Sequence, residues 1–151
     1  MLFDTHMHCD YSCDSHMQFA DAIAAATAEK IGMIVTEHWD YDYPTNPDAF
    51  TFDIDEYFAR LKPLCNDKVL LGIEIGMQTH TAVEDKRVAQ GHDFDFVLGS
   101  IHCIGREGKN FVRGKKGIDP GVNIGGLHFV FGFVFAGPEG LGCSILFGRH
   151  A

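Results

Sequence analysis

The sequence lacks any apolar run long enough to cross a membrane. Its longest, from Leu127 to Ala136, is ten residues and is interrupted by His128 and Gly132, about half of the ~20 that a spanning helix requires. The first residues, Met-Leu-Phe-Asp-Thr-His, also lack the basic region and apolar core of a signal peptide. The chain therefore reads as cytoplasmic, without a membrane partner. A paired cysteine pattern is lacking as well: the five thiols, Cys9, Cys13, Cys65, Cys103 and Cys143, are odd in number and irregularly spaced. In a cytoplasmic chain that pattern indicates free thiols rather than a disulfide framework. Cys9 and Cys13 stand beside His6 and His8, but no second ligand pair follows at zinc-finger spacing. Excess positive charge is likewise missing. A formal charge of −9 repels nucleic-acid phosphates and attracts a phosphorylated small molecule only where bound cations reverse the local field. Nine histidines in so acidic a chain make a metal site the natural hypothesis.

What is present suits one soluble domain with a sizeable core, since 46% of the 151 residues are hydrophobic and 22% charged. A short apolar run, Leu2 to Thr5, leads into two histidines. From about Gln18, QFADAIAAATAEKIG has helix-forming composition, with Gly32 as the expected C-terminal cap. Met33 to Thr36 then reads as a buried strand. Trp39 to Thr51 is too irregular for an element, and it ends where Asp53 and Glu56 form a capping box for the next helix, which Pro63 ends or kinks. VLLGIEIG, Val69 to Gly76, is a continuous apolar strand of the kind buried on both faces of a parallel sheet. Thr81 with Glu84 is expected to cap a helix ending at Gly91, and Phe94 to His102 is the fourth strand. The β-α alternation predicts an α/β fold with a parallel sheet, open or part of a barrel.

In a (β/α) barrel, functional groups gather at the C-terminal strand ends because the loops there converge on one mouth. The candidate ligands obey that rule. His6 and His8 end the first strand, His38 ends the second, Glu74 lies late in the third and His102 ends the fourth, with Asp14 in the loop after the first. Alternation places His6 and His8 on one side of an extended segment, about 6.5–7 Å apart, close enough to chelate one ion.

These residues carry a resemblance. DTHMHCDYSCDSHM resembles the first motif of the PHP (polymerase and histidinol phosphatase) superfamily, with Asp14 six residues after the His-x-His. VTEHWDYDYP resembles the second motif, LLGIEIGMQ the third and DFVLGSIHC the fourth. Asp14, EHWDYDYP, FDIDEYF and GIEIG are closer to the histidinol-phosphatases than to the polymerase-associated members. The resemblance implies a distorted seven-stranded barrel holding up to three divalent ions, and hydrolysis of L-histidinol phosphate, in histidine biosynthesis, by a metal-bound hydroxide that attacks phosphorus in line. Carried over by position, His6 and His8 would hold one ion with Glu74, Asp14 and His38 a second, and Glu74 with His102 a third or shared ion. Catalysis would rest on His6, His8, Glu74 and His102. Seven coordination positions come from these six side chains with Glu74 counted twice, against about 12 for three tetrahedral ions, so two ions are supportable. Zinc, manganese and iron all suit such ligands. The substrate would be a small phosphate ester; a nucleotide or other ester, or metal binding without turnover, are the competing readings.

His16, Trp39 and Arg106 are candidate substrate contacts, Trp39 by stacking on an imidazole and Arg106 as part of a basic cluster with Lys109, Arg113, Lys115 and Lys116. A solvated loop is the plainer reading of that cluster. The resemblance covers residues 1–116. The remaining residues, 117–151, hold 9 glycines in 35 positions against 8 in the preceding 116, and only three charged residues, Asp119, Glu139 and Arg149. This atypical Gly- and Phe-rich tail lacks the family's later ligands, and the expectation is a partial barrel truncated after about residue 116, with a frame-shifted ending. A buried strand with glycine-rich turns is the alternative. Half a barrel would leave an uncovered edge through which copies could self-associate.

Overall fold

The computed structural model describes residues 2–44, 46–106, 109–112, 130–135 and 141–146, with side chains described as far as Cys103. Four parallel strands, β1 (Phe3–Met7), β2 (Gly32–Trp39), β3 (Val69–Gly76) and β4 (Phe96–Ser100), lie side by side in chain order. Between them run α1 (Phe19–Glu29), α2 (Ile54–Leu61) and α3 (Ala82–Gly91). A small hairpin follows, β5 (Cys103–Arg106) and β6 (Lys109–Val112). Beyond it, β7 (Val130–Phe135) pairs antiparallel with β4, and β8 (Leu141–Leu146) pairs with β7. The sheet is thus not parallel throughout, and the outer edge of β4 carries a strand from the glycine-rich tail. No described helix is long and apolar enough to cross a membrane.

Alternation along β2 and β3 divides the sheet into two faces. Met33, Val35, Trp39, Leu71, Ile73, Ile75 and Val97 pack against Phe19, Ala22 and Ala26 of α1, Ile54, Tyr57 and Leu61 of α2, and Val88 of α3. Burying a side chain such as Leu71 or Ile73 completely, as here, contributes about 1.5–3 kcal/mol. The opposite face buries Ile34, Phe96 and Leu98, with Phe3 and Leu70 beside them, and it continues into the polar residues at the strand ends.

One irregularity decides which way the first histidines point. In β1, Asp4 pairs with Met33 but Met7 pairs with Val35, so three steps of β1 match two of β2. Phe3 packs on the inner face with Ile34, whereas Met7 packs against the helix-facing core. In a regular strand these two would share a face. The bulge turns His6 and His8 inward, a re-aiming that bulges supply elsewhere near functional sites.

Local signals mostly match the expected elements, with three corrections. The left-handed C-cap of α1 is Lys30, φ 59°, and not Gly32. Gly32 opens β2 instead, where a Cβ would lie 2.3 Å from the Phe3 ring; the glycine makes room for an aromatic. Asp53 caps α2 by accepting from Glu56 N at 2.9 Å, but the Glu56 carboxylate accepts from Tyr11 Oη at 2.6 Å rather than closing the box. Thr81 precedes α3 without capping it through its side chain, because its hydroxyl serves Asp85 and Gln78 O. Pro63 sits in the short 3-10 turn, Lys62–Leu64, that ends α2.

Candidate metal centre

Register in the parallel sheet sets His38 beside Glu74, and the four strand ends converge around that carboxylate. Glu74 is 2% exposed. Its Oε2 lies 3.1 Å from His6 Nε2, 3.4 Å from His8 Nε2 and 3.3 Å from His38 Nδ1. Its Oε1 lies 3.1 Å from His102 Nε2 and accepts from Ser100 Oγ at 2.5 Å. Asp14, half exposed, brings Oδ2 to 3.3 Å from His38 Nε2. The His8 and His38 rings stack at 4.2 Å. Three overlapping groups result, each with donor atoms within 4.8 Å of one another: His6, His8 and Glu74; His8, Asp14 and His38; His38, Glu74 and His102. All six residues read from the sequence as ligands come together.

Four supporting residues escaped the sequence reading. Glu37, wholly buried, points to the helix side of β2 and accepts from Cys9 N at 2.9 Å and Ser12 Oγ at 2.5 Å. With its proton committed to Glu37, the Ser12 hydroxyl accepts from His38 N at 2.9 Å and faces His8 Nδ1 at 3.4 Å. Asp40, 2% exposed, lies 2.6 Å through Oδ1 from His102 Nδ1 and 3.4 Å through Oδ2 from His38 Nδ1. Ser100 holds Glu74 as described. The signal for Glu37 and Asp40 was a pair of acids flanking His38 where a strand was ending. The loop with Asp14 is fixed from outside by Arg60 to Asp10 at 3.0 Å and Tyr11 to Glu56.

The electrostatics follow from burial competing with these contacts. Burial opposes ionisation of Glu74, yet hydrogen bonds from His102 and His6 outweigh it and hold the carboxyl well below the usual range. Asp40 is lowered in the same way, by His102 and His38 against burial. Burial likewise disfavours a charged His102, but Asp40 and Glu74 on its two nitrogens push it up to about 10. His8 goes the other way: burial, followed by repulsion from His38, brings it down to about 4. Glu37 is raised, chiefly by burial.

Other candidate positions are not gathered in. Trp39 faces away from His38, is 7% exposed and stands edge-on to Phe52 in the helix-facing core, which removes its ring from the site. The aromatic against His38 is Phe50, edge-on at 5.3 Å, with Tyr43 behind it. His16 is exposed and belongs to none of the donor groups found among the described residues. Arg106 ends β5, with its side chain outside the described residues, as are Arg113, Lys115, Lys116, His128 and His150.

The donor set suits a divalent metal. Among the described residues no lysine or arginine pairs with Glu74 or Asp40, and within that set imidazoles alone balance these buried carboxylates. His38 Nδ1 and Asp40 Oδ2 are buried without a hydrogen-bond partner. Imidazole and carboxylate together accommodate zinc, manganese or iron.

Comparison with known proteins gives a consistent answer. The family profile described as PHP domain matches residues 4–123. The chain is 44% identical over 104 residues to a probable histidinol-phosphatase of Clostridium acetobutylicum, covering 69% of this chain and 40% of that protein. It is 30% identical over 108 residues to the histidinol-phosphatase of Lactococcus lactis subsp. lactis, covering 68% and 39%. A crystal structure of histidinol phosphate phosphatase from the latter organism, complexed with zinc, L-histidinol and phosphate, superposes with a TM-score of 0.63 at 29% identity, covering 69% of this chain and 41% of that one. The chain thus spans about two fifths of the length of the relatives it matches.

Proposed function

The chain belongs to the PHP domain family, and from that premise we propose that it carries part of a metal-dependent phosphomonoesterase that hydrolyses L-histidinol phosphate to L-histidinol and phosphate, in histidine biosynthesis and in the cytoplasm. The observation that carries the reading is Glu74, buried among four imidazoles at 3.1–3.4 Å, in a chain 44% identical over 104 residues to a probable histidinol-phosphatase.

The three donor groups cannot all be filled at once. His8 directs Nδ1 at Ser12 and so has one nitrogen, Nε2, to give, and it cannot serve both groups that contain it. The allocation that uses each nitrogen once gives His6, His8 and Glu74 to one ion, Asp14 and His38 to a second, and Glu74 Oε1 with His102 to a third position. Water or further ligands must complete the last two, and because seven donors fall short of the about 12 that three tetrahedral ions need, two ions are supportable. When bound, divalent ions neutralise the phosphate dianion and acidify a coordinated water. The chain's own residues do the rest. Ser100 holds Glu74 Oε1 in place, Ser12 orients His8, and half-exposed Asp14 is, with His6, the ligand most open to solvent.

Phosphate release by the 151-residue chain should be measured with L-histidinol phosphate, a nucleoside monophosphate and p-nitrophenyl phosphate, with zinc and with a chelator. Zinc-dependent turnover favouring histidinol phosphate is expected. Preference for another ester would move the substrate assignment, while bound zinc without turnover of any ester would support the second reading, metal binding alone, which the two-donor sites of Asp14–His38 and Glu74–His102 favour.

A further inference from the structure

We propose that Asp40 is a positioning residue that sets the orientation of two metal-site imidazoles, reaching across β3 to hold His102 and facing His38, so that each ring presents Nε2. The inference rests on reading the cluster as a metal centre. None of the three donor groups includes Asp40.

His102 stands two residues beyond the end of β4, after Ile101, which is 47% exposed. The pleat of the strand therefore does not fix its ring. Asp40 comes directly after β2 and is anchored through its backbone, Asp40 N donating to Phe50 O at 2.9 Å. Between the two lies β3, and at the crossing point that strand has Gly76. A Cβ there would lie 1.7 Å from Asp40 Oδ1 and 2.3 Å from its Cγ. The glycine is the notch through which the carboxylate passes to reach His102 Nδ1 at 2.6 Å.

An ionised carboxylate only accepts, so the nitrogen facing it carries the proton. His102 Nε2, 3.1 Å from the equally ionised Glu74 Oε1, gives up its own proton only where an ion replaces it, and the proton held by Asp40 on Nδ1 is the one that stays. For His38, whose Nδ1 faces Asp40 Oδ2 at 3.4 Å, the free Nε2 is the atom 3.3 Å from Asp14. Glu74 Oε2 lies 3.3 Å from the same Nδ1, so the two buried carboxylates together leave His38 Nε2 turned toward Asp14. Partners outside the coordination shell that orient histidine ligands commonly contribute about 10–100-fold in metal affinity.

Zinc dissociation constants should be measured on the full chain by competition with a chromophoric chelator, for wild type, Asp40→Asn, Gly76→Ala and Asp42→Asn, with folding checked by circular dichroism. Gly76→Ala keeps the charge and displaces the carboxylate; Asp42→Asn removes an exposed charge two residues away. Asp40→Asn and Gly76→Ala should each weaken zinc binding by about 10–100-fold, and Asp42→Asn should match wild type. Zinc binding by the first two at wild-type strength overturns the inference and leaves the metal reading intact, whereas a wild type that binds no zinc removes both. Histidine 15N NMR of zinc-loaded wild type supplies a second readout, which stands even if Asp40→Asn fails to fold. The His102 proton should be on Nδ1, and a proton on Nε2 would overturn the proposal.

Discussion

Glu74 gives one oxygen to His6, His8 and His38 and the other to His102, so in the proposed metal centre its removal would touch more than one ion. Glu74→Gln should weaken zinc binding by more than the about 10–100-fold typical of residues outside the coordination shell, read by elemental analysis and chelator competition. Proton competition is the second consequence. In the metal-free chain His102 is pushed up to about 10 by Asp40 and Glu74, so at neutral pH its Nε2 carries a proton that an ion must displace. Zinc affinity should therefore fall on acidification, by about tenfold per pH unit for one proton, between pH 8 and pH 6; calorimetry in that window checks it, and a flat profile would count against His102 as a ligand. The six proposed ligands were legible because histidines and acids at successive strand ends have few other uses. Asp40 and Glu37 were not, because an acid in a string such as TEHWD reads equally as a solvated charge, and only tertiary packing buries both.

Elements were legible where local chemistry sets them and opaque where packing does. The β3 span was read to the residue, since VLLGIEIG admits little else. Alternation placed His6 and His8 together, but not on which face; the bulge against β2 that turns them inward depends on pairing between strands. The end of α1 shows the same competition. Composition favoured Gly32 as the cap, yet Gly32 is taken up beneath the Phe3 ring, leaving Lys30 to adopt φ 59°. A left-handed conformation costs an L-residue about 1–2 kcal/mol, partly offset by the greater freedom glycine loses on folding. Lys30→Gly should stabilise the chain by about 0.5–1 kcal/mol, seen as a higher urea midpoint with an unchanged slope. A lower midpoint would mean that the lysine side chain supports the turn.

At the scale of the molecule, a net charge of −9 makes sense only beside cations if the ligand is a phosphate ester. The sheet meets that need by aiming four strand ends at one buried carboxylate. The α/β class and the parallel arrangement of β1 to β4 followed from the alternation of elements, while the antiparallel β7 and β8 did not, because the tail shows no period of two. The chain spans about two fifths of its relatives, so turnover and metal binding are separable questions, and the second comes first. The most direct measurement is zinc content per folded 151-residue chain after gel filtration, by elemental analysis. About two ions per chain, removed by chelator, is the predicted result; a folded chain that retains no zinc would contradict the account.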